Sequence, residues 1–165
     1  MIKKLLGLMF AMVFLANFCK GQSDNSLSAT NWGQSVNGVE LSISLSNNVI
    51  PLGSTTRLQC RVKNSSTNFI TWGVLSPAQG FTVSLTNNLG KAYRLTPDES
   101  KFTIISYSST CEVEAGETYE CSVPIVIGKN VEPGNYQLEA NQHFLIRGKR
   151  PSHELTSNLL DVQIK

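Results

Sequence analysis

The sequence predicts a single all-β domain, a β-sandwich of about seven to nine antiparallel strands. Apolar and polar residues alternate with a period of two along most of the chain, and clusters of Gly, Pro, Asn and Ser interrupt the alternation at short intervals. The apolar spacing of three and four that indicates an amphipathic helix is not sustained anywhere after the first twenty residues. A length of 165 residues is sufficient for one domain with a sizeable core.

The first 21 residues are predicted to be a secretory signal peptide, a helix that precedes the domain and is removed on export. Lys3 and Lys4 precede an apolar run, Leu5–Leu15, in the arrangement of the charged and apolar regions of such signals. A membrane span needs about 20 apolar residues, so this shorter run disfavours a retained anchor. The mature chain is therefore expected to be secreted or periplasmic, without stable membrane insertion.

The residues around the expected cleavage site favour ordinary signal cleavage over lipid attachment. Phe18 stands where a lipoprotein signal has Gly, Ala or Ser before its modified cysteine, so Cys19 is not expected to carry lipid. Small residues at Cys19 and Gly21 allow cleavage after Gly21, which makes Gln22 the first residue of the mature chain.

The charge of the mature chain gives no sign of a polyanionic partner. The full chain has 14 Lys and Arg against 12 Asp and Glu, a formal charge of +2. Lys3, Lys4 and Lys20 leave with the signal peptide, so 11 cations face 12 acidic residues and the charge becomes −1. Such a charge produces no strong steering field, and export also argues against nucleic acid as a partner.

Residues 22–37 are predicted to be a flexible N-terminal segment, and residues 38–165 the domain. Trp32 is the one large apolar side chain of the segment, and we expect it to dock on the domain. The first strands are predicted by alternation from Val39 to Ser46 and from Thr56 to Lys63, before a turn at Asn64-Ser65-Ser66.

The later strands follow the same pattern. Asn87-Asn88-Leu89-Gly90 predicts a hairpin between two apolar-alternating runs, and Pro133-Gly134 opens a strand after another turn. The predicted strands after residue 66 are Ile70–Val74, Phe81–Leu85, Tyr93–Leu95, Phe102–Tyr107, Tyr119–Ile127, Tyr136–Ile146 and Leu160–Ile164.

The order of the turns and aromatic residues resembles that of immunoglobulin-like domains. Gly53, Cys60, Asn64 and Trp72 resemble the residues of strands B and C. Pro133-Gly134-Asn135-Tyr136 resembles the tyrosine corner at the start of strand F. The resemblance covers about residues 36–165 and implies an immunoglobulin-like sandwich, in which a fold does not fix a function.

One position departs from antibody domains. Leu138, two residues after Tyr136, stands where an antibody domain has a cysteine, so Cys60 lacks the usual cross-sheet partner. The resemblance is therefore to the wider class, which includes fibronectin-III-like modules, pilus-chaperone-like domains and bacterial proteinase-inhibitor-like sandwiches.

Three cysteines remain after signal removal, and an odd count in an exporting compartment predicts one disulfide and one thiol. A hairpin centred on Gly116 places Cys111 opposite Cys121, and we predict this disulfide, with Cys60 as a buried thiol. The alternative is Cys60 with Cys121, because both join core-facing sets on strands that are neighbours in immunoglobulin-like sheets. No zinc-ligand spacing is present among the cysteines.

The sequence predicts no enzyme, no cofactor and no resident metal. The chain has two His residues, and GxSxG, HExxH and paired-carboxylate motifs are absent from it, as are phosphate-binding glycine loops. Asn64-Ser65-Ser66 is a glycosylation sequon, which matters in a eukaryotic source and is otherwise turn chemistry.

The candidate binding site is the hairpin between the predicted strands F and G. If the hairpin is centred on Gly148, two histidines lie opposite each other on its solvent face, close enough to share a transition metal or to repel when protonated. We favour a pH-sensitive basic contact patch over metal binding; a merely solvated turn is the alternative. The candidate residues are His143, Arg147, Lys149, Arg150 and His153.

These observations together favour an exported, non-catalytic binding module that displays loops to a protein or a glycan. An inhibitor or regulator of a secreted hydrolase is the alternative, suggested by the similarity to inhibitor-like sandwiches. An enzyme ranks third, because residues distant in sequence sometimes converge in space.

Overall fold

The computed structural model describes residues 31–74, 80–97 and 109–165. Within these ranges every regular element is a β-strand, which confirms the predicted all-β class. No helix long and apolar enough to cross a membrane occurs in them. The predicted signal peptide, residues 22–30 of the N-terminal segment and the predicted strand at 102–107 lie outside the described residues.

The described ranges hold eleven strands, where the sequence predicts about seven to nine. One of the additional strands, β2, has two residues and is too short for alternation to predict. In chain order the strands are β1 (Val39–Ser44), β2 (Val49–Ile50), β3 (Thr55–Asn64), β4 (Ile70–Val74), β5 (Phe81–Asn87), β6 (Ala92–Pro97), β7 (Ser109–Val113), β8 (Thr118–Val126), β9 (Gly134–Ile146), β10 (Lys149–Thr156) and β11 (Leu160–Ile164).

The strands form two sheets of a sandwich. In the first sheet, β3 pairs with β1 on one side and with β8 on the other, both antiparallel. The second sheet is built around β9, which pairs with β5 and β4 along one edge and with β11 and β10 along the other. β7 extends this sheet beyond β4, and β2 adds a short parallel ladder beyond β11.

Strand β6 connects the two sheets. Its first residues, Ala92–Leu95, pair with β5 in the second sheet, whereas Thr96 and Pro97 pair with β8 in the first sheet. A strand that changes sheets in this way closes one side of the sandwich, because its two halves satisfy the edges of both sheets.

The core lies between the sheets and follows the predicted alternation. In β1, Val39, Leu41 and Ile43 are at most 2% exposed, and in β3 Leu58 and Val62 are fully buried. The inward phase predicted for these two strands is therefore confirmed. Burial of these aliphatic side chains is the main term that stabilises the sandwich.

Tyr136 makes the hydrogen bond to upstream backbone that the predicted tyrosine corner requires. The hydroxyl of Tyr136, at the start of β9, donates to the carbonyl oxygen of Glu132 at 2.7 Å. The Tyr136 ring also lies edge-on to Tyr93, with centroids 5.9 Å apart. This bond fixes the entry of the chain into the central strand of the second sheet.

The predicted two-strand hairpin at Gly116 does not form. Here β7 pairs with β4 in the second sheet and β8 pairs with β3 in the first sheet, so the turn between them crosses from one sheet to the other. The backbone amide of Gly116 instead donates to the carbonyl oxygen of Asn64 at 2.7 Å. Cys111 and Cys121 are equally distant from Gly116 in the sequence, but this symmetry does not produce a hairpin because β7 and β8 form ladders with β4 and β3 instead.

The side chain of Asn64 joins the β3–β4 loop to the β7–β8 turn at this end of the sandwich. It is fully buried, and its Nδ2 donates to the carbonyl oxygens of Asn68, Val113 and Glu114 at 2.8, 3.0 and 3.1 Å. Its Oδ1 accepts hydrogen bonds from the backbone amide and the hydroxyl of Ser66. In the folded chain this amide is occupied in turn formation and is not accessible to a glycosylating enzyme.

Residues 31–37 contact the sandwich. Trp32 lies under the cations of Arg61 and Lys63, which are 5.8 and 5.6 Å from its ring centroid. The backbone amide of Gly33 donates to Leu41 at 2.9 Å. A Cβ atom at Gly33 would lie 2.0 Å from the carbonyl oxygen of Thr156, so only glycine allows this close approach. The expected docking of Trp32 is therefore observed.

Candidate functional site

The five predicted binding residues lie on one hairpin, formed by β9 and β10. Ile146 pairs with Lys149, which leaves Arg147 and Gly148 as a two-residue turn. Both turn residues have positive φ, 51° and 66°, the signature of the type I′ turn that matches the twist of the flanking strands. Arginine in this left-handed region is strained, so other contacts must hold Arg147 in place.

Two hydrogen bonds supply those contacts. The backbone amide of Arg147 donates to the carbonyl oxygen of Phe69 at 3.0 Å, and its Nε donates to Oδ1 of Asn68 at 2.6 Å. Both acceptors belong to the loop between β3 and β4. The tip of the hairpin is therefore fixed to the body of the domain by a backbone and a side-chain bond.

The register of the hairpin differs from the symmetric register that the sequence suggests. Between Lys149 and His153 it shifts through an irregularity of β10, so His143 lies opposite Glu154 and not opposite His153. His143 Nε2 is 4.0 Å from Glu154 Oε1, and both side chains are more than half exposed. The irregularity adds two residues to β10 only, because four steps from Lys149 to His153 match two steps from Ile146 to Phe144. The turn is also centred between Arg147 and Gly148 and not on Gly148, so the symmetric count fails even before the irregularity.

His153 therefore occupies the opposite face of the hairpin from His143. Its register partner is Phe144, and the two rings are 5.3 Å apart at a tilt of 39°. Its Nδ1 accepts a hydrogen bond from Nδ2 of Asn37 at 3.2 Å. The predicted opposed pair of imidazoles is wrong, and so is the shared metal geometry that depended on it. Within the described ranges no cluster of three or more metal-ligating side chains occurs.

The cations at the tip are clustered. Arg147, Lys149 and Arg150 are exposed, and no carboxylate of the described residues lies within 4.0 Å of any of them. Three cations elsewhere form ion pairs, Arg61–Glu120 at 2.7 Å, Lys63–Glu40 at 3.3 Å and Lys91–Glu132 at 2.7 Å, whereas Arg57, Arg94, Lys129 and Lys165 are single cations without such a partner in the described ranges. The tip is distinguished by three such cations within four residues of the sequence.

A cavity of about 670 Å³ opens beside this tip, and we call it the notch. Two of the predicted binding residues, His143 and Arg150, lie at it, whereas Arg147, Lys149 and His153 are not part of its wall. The notch is lined by Trp72, Gly80, Gln142, His143, Phe144, Leu145, Arg150, Pro151 and Ser152.

Trp72 and Gln142 are notch residues that the sequence analysis did not select. Gln142 belongs to the inward set of β9, between Ala140 and Phe144, and is 1% exposed. A polar residue at an inward position of an otherwise apolar strand is the signal that points to it. Trp72 was interpreted as a strand C core residue, and its ring does pack edge-on against Tyr119, with centroids 5.3 Å apart.

A second cavity, of about 660 Å³, lies on the outward face of β9 and β11. Its wall consists largely of amide side chains, and none of the predicted binding residues belongs to it. The residues that line it include Asn48, Asn87, Asn88, Asn135, Gln137, Asp161 and Gln163.

The ladder between β3 and β8 brings Cys60 directly opposite Cys121, whereas Cys111 lies opposite Trp72 in the other sheet. None of the three described cysteines is in a disulfide. The side-chain hydrogen bond between Cys60 and Cys121, together with burial, raises the pKa of the Cys60 thiol well above its usual value. The predicted buried position of Cys60 is confirmed, and the hairpin that motivated the Cys111–Cys121 disulfide is absent.

No protein-family model and no curated protein sequence matches the chain. Among solved structures, a family 123 glycoside hydrolase from Clostridium perfringens is 11% identical at a TM-score of 0.43, over 77% of this chain and 27% of that one. A β-glucosidase from Listeria innocua is 13% identical at 0.44, over 76% and 16%. The PapD-like domain 7 of human CEP192 is 15% identical at 0.40, over 87% and 98%. The chain thus spans 27% of one hydrolase and 16% of the other, and these likenesses carry no argument about activity.

Proposed function

We propose that this chain is an exported, non-catalytic binding module of the immunoglobulin-like class that recognises an acidic partner protein through the tip of the β9–β10 hairpin. The observation that carries the proposal is the cluster of three cations, Arg147, Lys149 and Arg150, on a turn with a fixed backbone and without a carboxylate of the described residues within 4.0 Å. Export is inferred from the signal-like sequence of residues 1–21.

The rigidity of the tip favours a recognition role over a merely solvated turn. Charged residues keep a solvated turn soluble whether or not its conformation is fixed. A binding loop with a fixed conformation loses less entropy on association and therefore binds more tightly. Phe69 and Asn68 hold Arg147 in a left-handed conformation that is unfavourable for arginine. A strained but fixed backbone is expected where a loop is pre-organised for binding. Three unpaired cations also attract an acidic surface over a distance and orient it.

Two features support the immunoglobulin-like part of the proposal. The Tyr136–Glu132 hydrogen bond has the pattern of the tyrosine corner of that class, and in the proposed assignment β9 and β10 correspond to strands F and G. The turn between strands F and G is a frequent contact loop in such domains, because it projects from one end of a rigid sandwich.

Capture of proteins from the native extracellular or periplasmic fraction tests this proposal. The mature chain, from Gln22 on, is immobilised beside the variant R147Q/K149Q/R150Q and a control with equal charge change, R57Q/K129Q/K165Q. We expect the control to capture an acidic protein as the wild type does. We expect the hairpin variant to bind that protein at least about tenfold more weakly than the wild type. Equal capture by the hairpin variant and the wild type contradicts the proposal.

An inhibitor of a secreted hydrolase is the second candidate function, and the ordered, anchored tip favours it. A hydrolase among the captured proteins, whose activity falls on addition of the wild-type chain but not of the hairpin variant, distinguishes inhibition from passive binding.

A further inference from the structure

The notch contains two buried polar groups that have no hydrogen-bond partner among the described residues. They are the indole nitrogen Nε1 of Trp72 and the amide oxygen Oε1 of Gln142, on side chains that are 2% and 1% exposed. A buried donor or acceptor without a partner is unfavourable, and folded proteins seldom retain one without a reason. Both residues line the notch, so a ligand seated there is the candidate source of the two missing bonds.

The notch exists because two ladders of the second sheet stop short of each other. Strand β5 pairs with β9 as far as Phe81 opposite Gln142, and β4 pairs with β9 from Thr71 opposite Leu145. The two residues of β9 between these ladders have no register partner on that side among the described strands. The floor of the notch therefore includes an interruption in the described part of the sheet, where two residues of β9 lack a ladder partner that an extended segment of another chain can supply.

Gly80, next to this gap, makes room for the Gln142 side chain. A Cβ atom at Gly80 would lie 2.7 Å from Nε2 and 3.0 Å from Oε1 of Gln142. Any larger residue would displace the amide. The glycine thus keeps the amide group of Gln142 where it lines the notch.

The rim of the notch favours a negatively charged ligand. Arg150 lines the rim and is one of the tip cations without a carboxylate within 4.0 Å in the described part of the chain. His143, also at the rim, faces Glu154. A guanidinium without a counterion binds a carboxylate best, since the fork of donors matches its two oxygens.

We infer that the notch binds an extended acidic peptide segment of the partner, an inference that rests on the proposed function and specifies its contact. A peptide C=O accepts the hydrogen bond of Trp72 Nε1, and a peptide N–H donates to Gln142 Oε1. An Asp or Glu side chain of the same segment pairs with Arg150. A sugar hydroxyl also donates and accepts, but it leaves Arg150 without a counterion, so a glycan fits the notch less well.

The smallest probe with these groups is N-acetyl-aspartate N-methylamide, which has two peptide units and one carboxylate. The chain has two Trp residues, so the indole N–H signal of Trp72 is assigned in a ¹⁵N-correlated NMR spectrum by its loss in Trp72→Phe. We expect a saturable shift of this signal with the aspartate probe and about tenfold weaker binding of the asparagine analogue. The inference is overturned if the aspartate probe causes no saturable shift of the Trp72 signal. It is also overturned if methyl glucoside saturates the site and the aspartate probe does not.

The variant Gln142→Met separates a ligand site from a structural role. Methionine has a similar shape and no amide, so we expect the free protein to unfold at a higher urea concentration and to bind the probe about tenfold more weakly. Gln137→Met, an exposed change on the same strand, is the matched control. A lower urea midpoint in Gln142→Met with unchanged probe binding overturns the inference.

The readouts distinguish the notch from the proposed function. The variant R147Q/K149Q retains Arg150 and every notch residue, so we expect it to bind the aspartate probe as the wild type does, even where partner capture is weakened. Partner capture thus tests the hairpin, whereas the Trp72 signal tests the notch. A loss of probe binding in this double variant contradicts the placement of the peptide site in the notch.

Discussion

Replacement of Asn64 by alanine tests how the loops at one end of the sandwich are held together. The buried amide of Asn64 donates to three carbonyl oxygens, and its oxygen accepts two hydrogen bonds from Ser66. Because an amide has two hydrogens, the three donated bonds are shared and count as about two. With two accepted bonds and about 1 kcal/mol for each, the variant loses about 4 kcal/mol. This is a large part of the 5 to 15 kcal/mol, roughly, by which domains are stable.

The measurement is urea unfolding followed by tryptophan fluorescence, with the free energy taken from the midpoint and slope. Asn88→Ala, on the exposed turn between β5 and β6, is the matched control and should change the free energy by less than about 0.5 kcal/mol. Asn64→Asp keeps the shape but turns the donor toward three carbonyl oxygens into an acceptor, so it should destabilise at least as much as alanine. A loss below about 1 kcal/mol in Asn64→Ala would refute the reasoning.

Two further predictions concern the core. Tyr136→Phe removes one hydrogen bond and leaves the Glu132 carbonyl without that donor, so urea unfolding should show a loss of about 1 kcal/mol; an unchanged midpoint contradicts the anchoring role of the corner. The pKa of Cys60 is raised in the folded state, so the unfolded state releases this proton first as pH rises. Stability should therefore be constant below about pH 8.5 and fall above it. Native Cys60 should resist iodoacetamide until the domain unfolds. In Cys60→Ala the alkaline fall should shrink, and an identical pH profile in that variant argues against this thiol as its source.

The strands and the core were predictable because they depend on local patterns. Alternation identified the inward faces of β1 and β3, and Asn87-Asn88-Leu89-Gly90 identified the hairpin between β5 and β6. The Asn87 side chain accepts hydrogen bonds from the backbone amides of Leu89 and Lys91, which is turn chemistry within five residues.

The candidate site was predicted only in part. The turn at Gly148 and its basic residues follow from sequence, whereas the partner of His143 depends on an irregularity in β10 that no local pattern marks. The turn is centred between Arg147 and Gly148 and not on Gly148, which changes the parity of the register and puts His143 and His153 on opposite faces. The inward position of Gln142 could have been predicted from the sequence. That its Oε1 has no hydrogen-bond partner among the described residues could not.

By itself, the sequence determined the all-β class, the inward phase of the early strands, the tyrosine corner and the basic turn, because each depends on contacts or periodicities within a few residues. Only the tertiary structure decided which strands meet. It placed Cys60 opposite Cys121 and divided β7 and β8 between two sheets. It also brought Trp72 and Gln142 to one notch, beside β9 residues that have no partner on that side among the described strands. Strand pairing between distant segments is selected by the packing of the whole core, so no single segment encodes it.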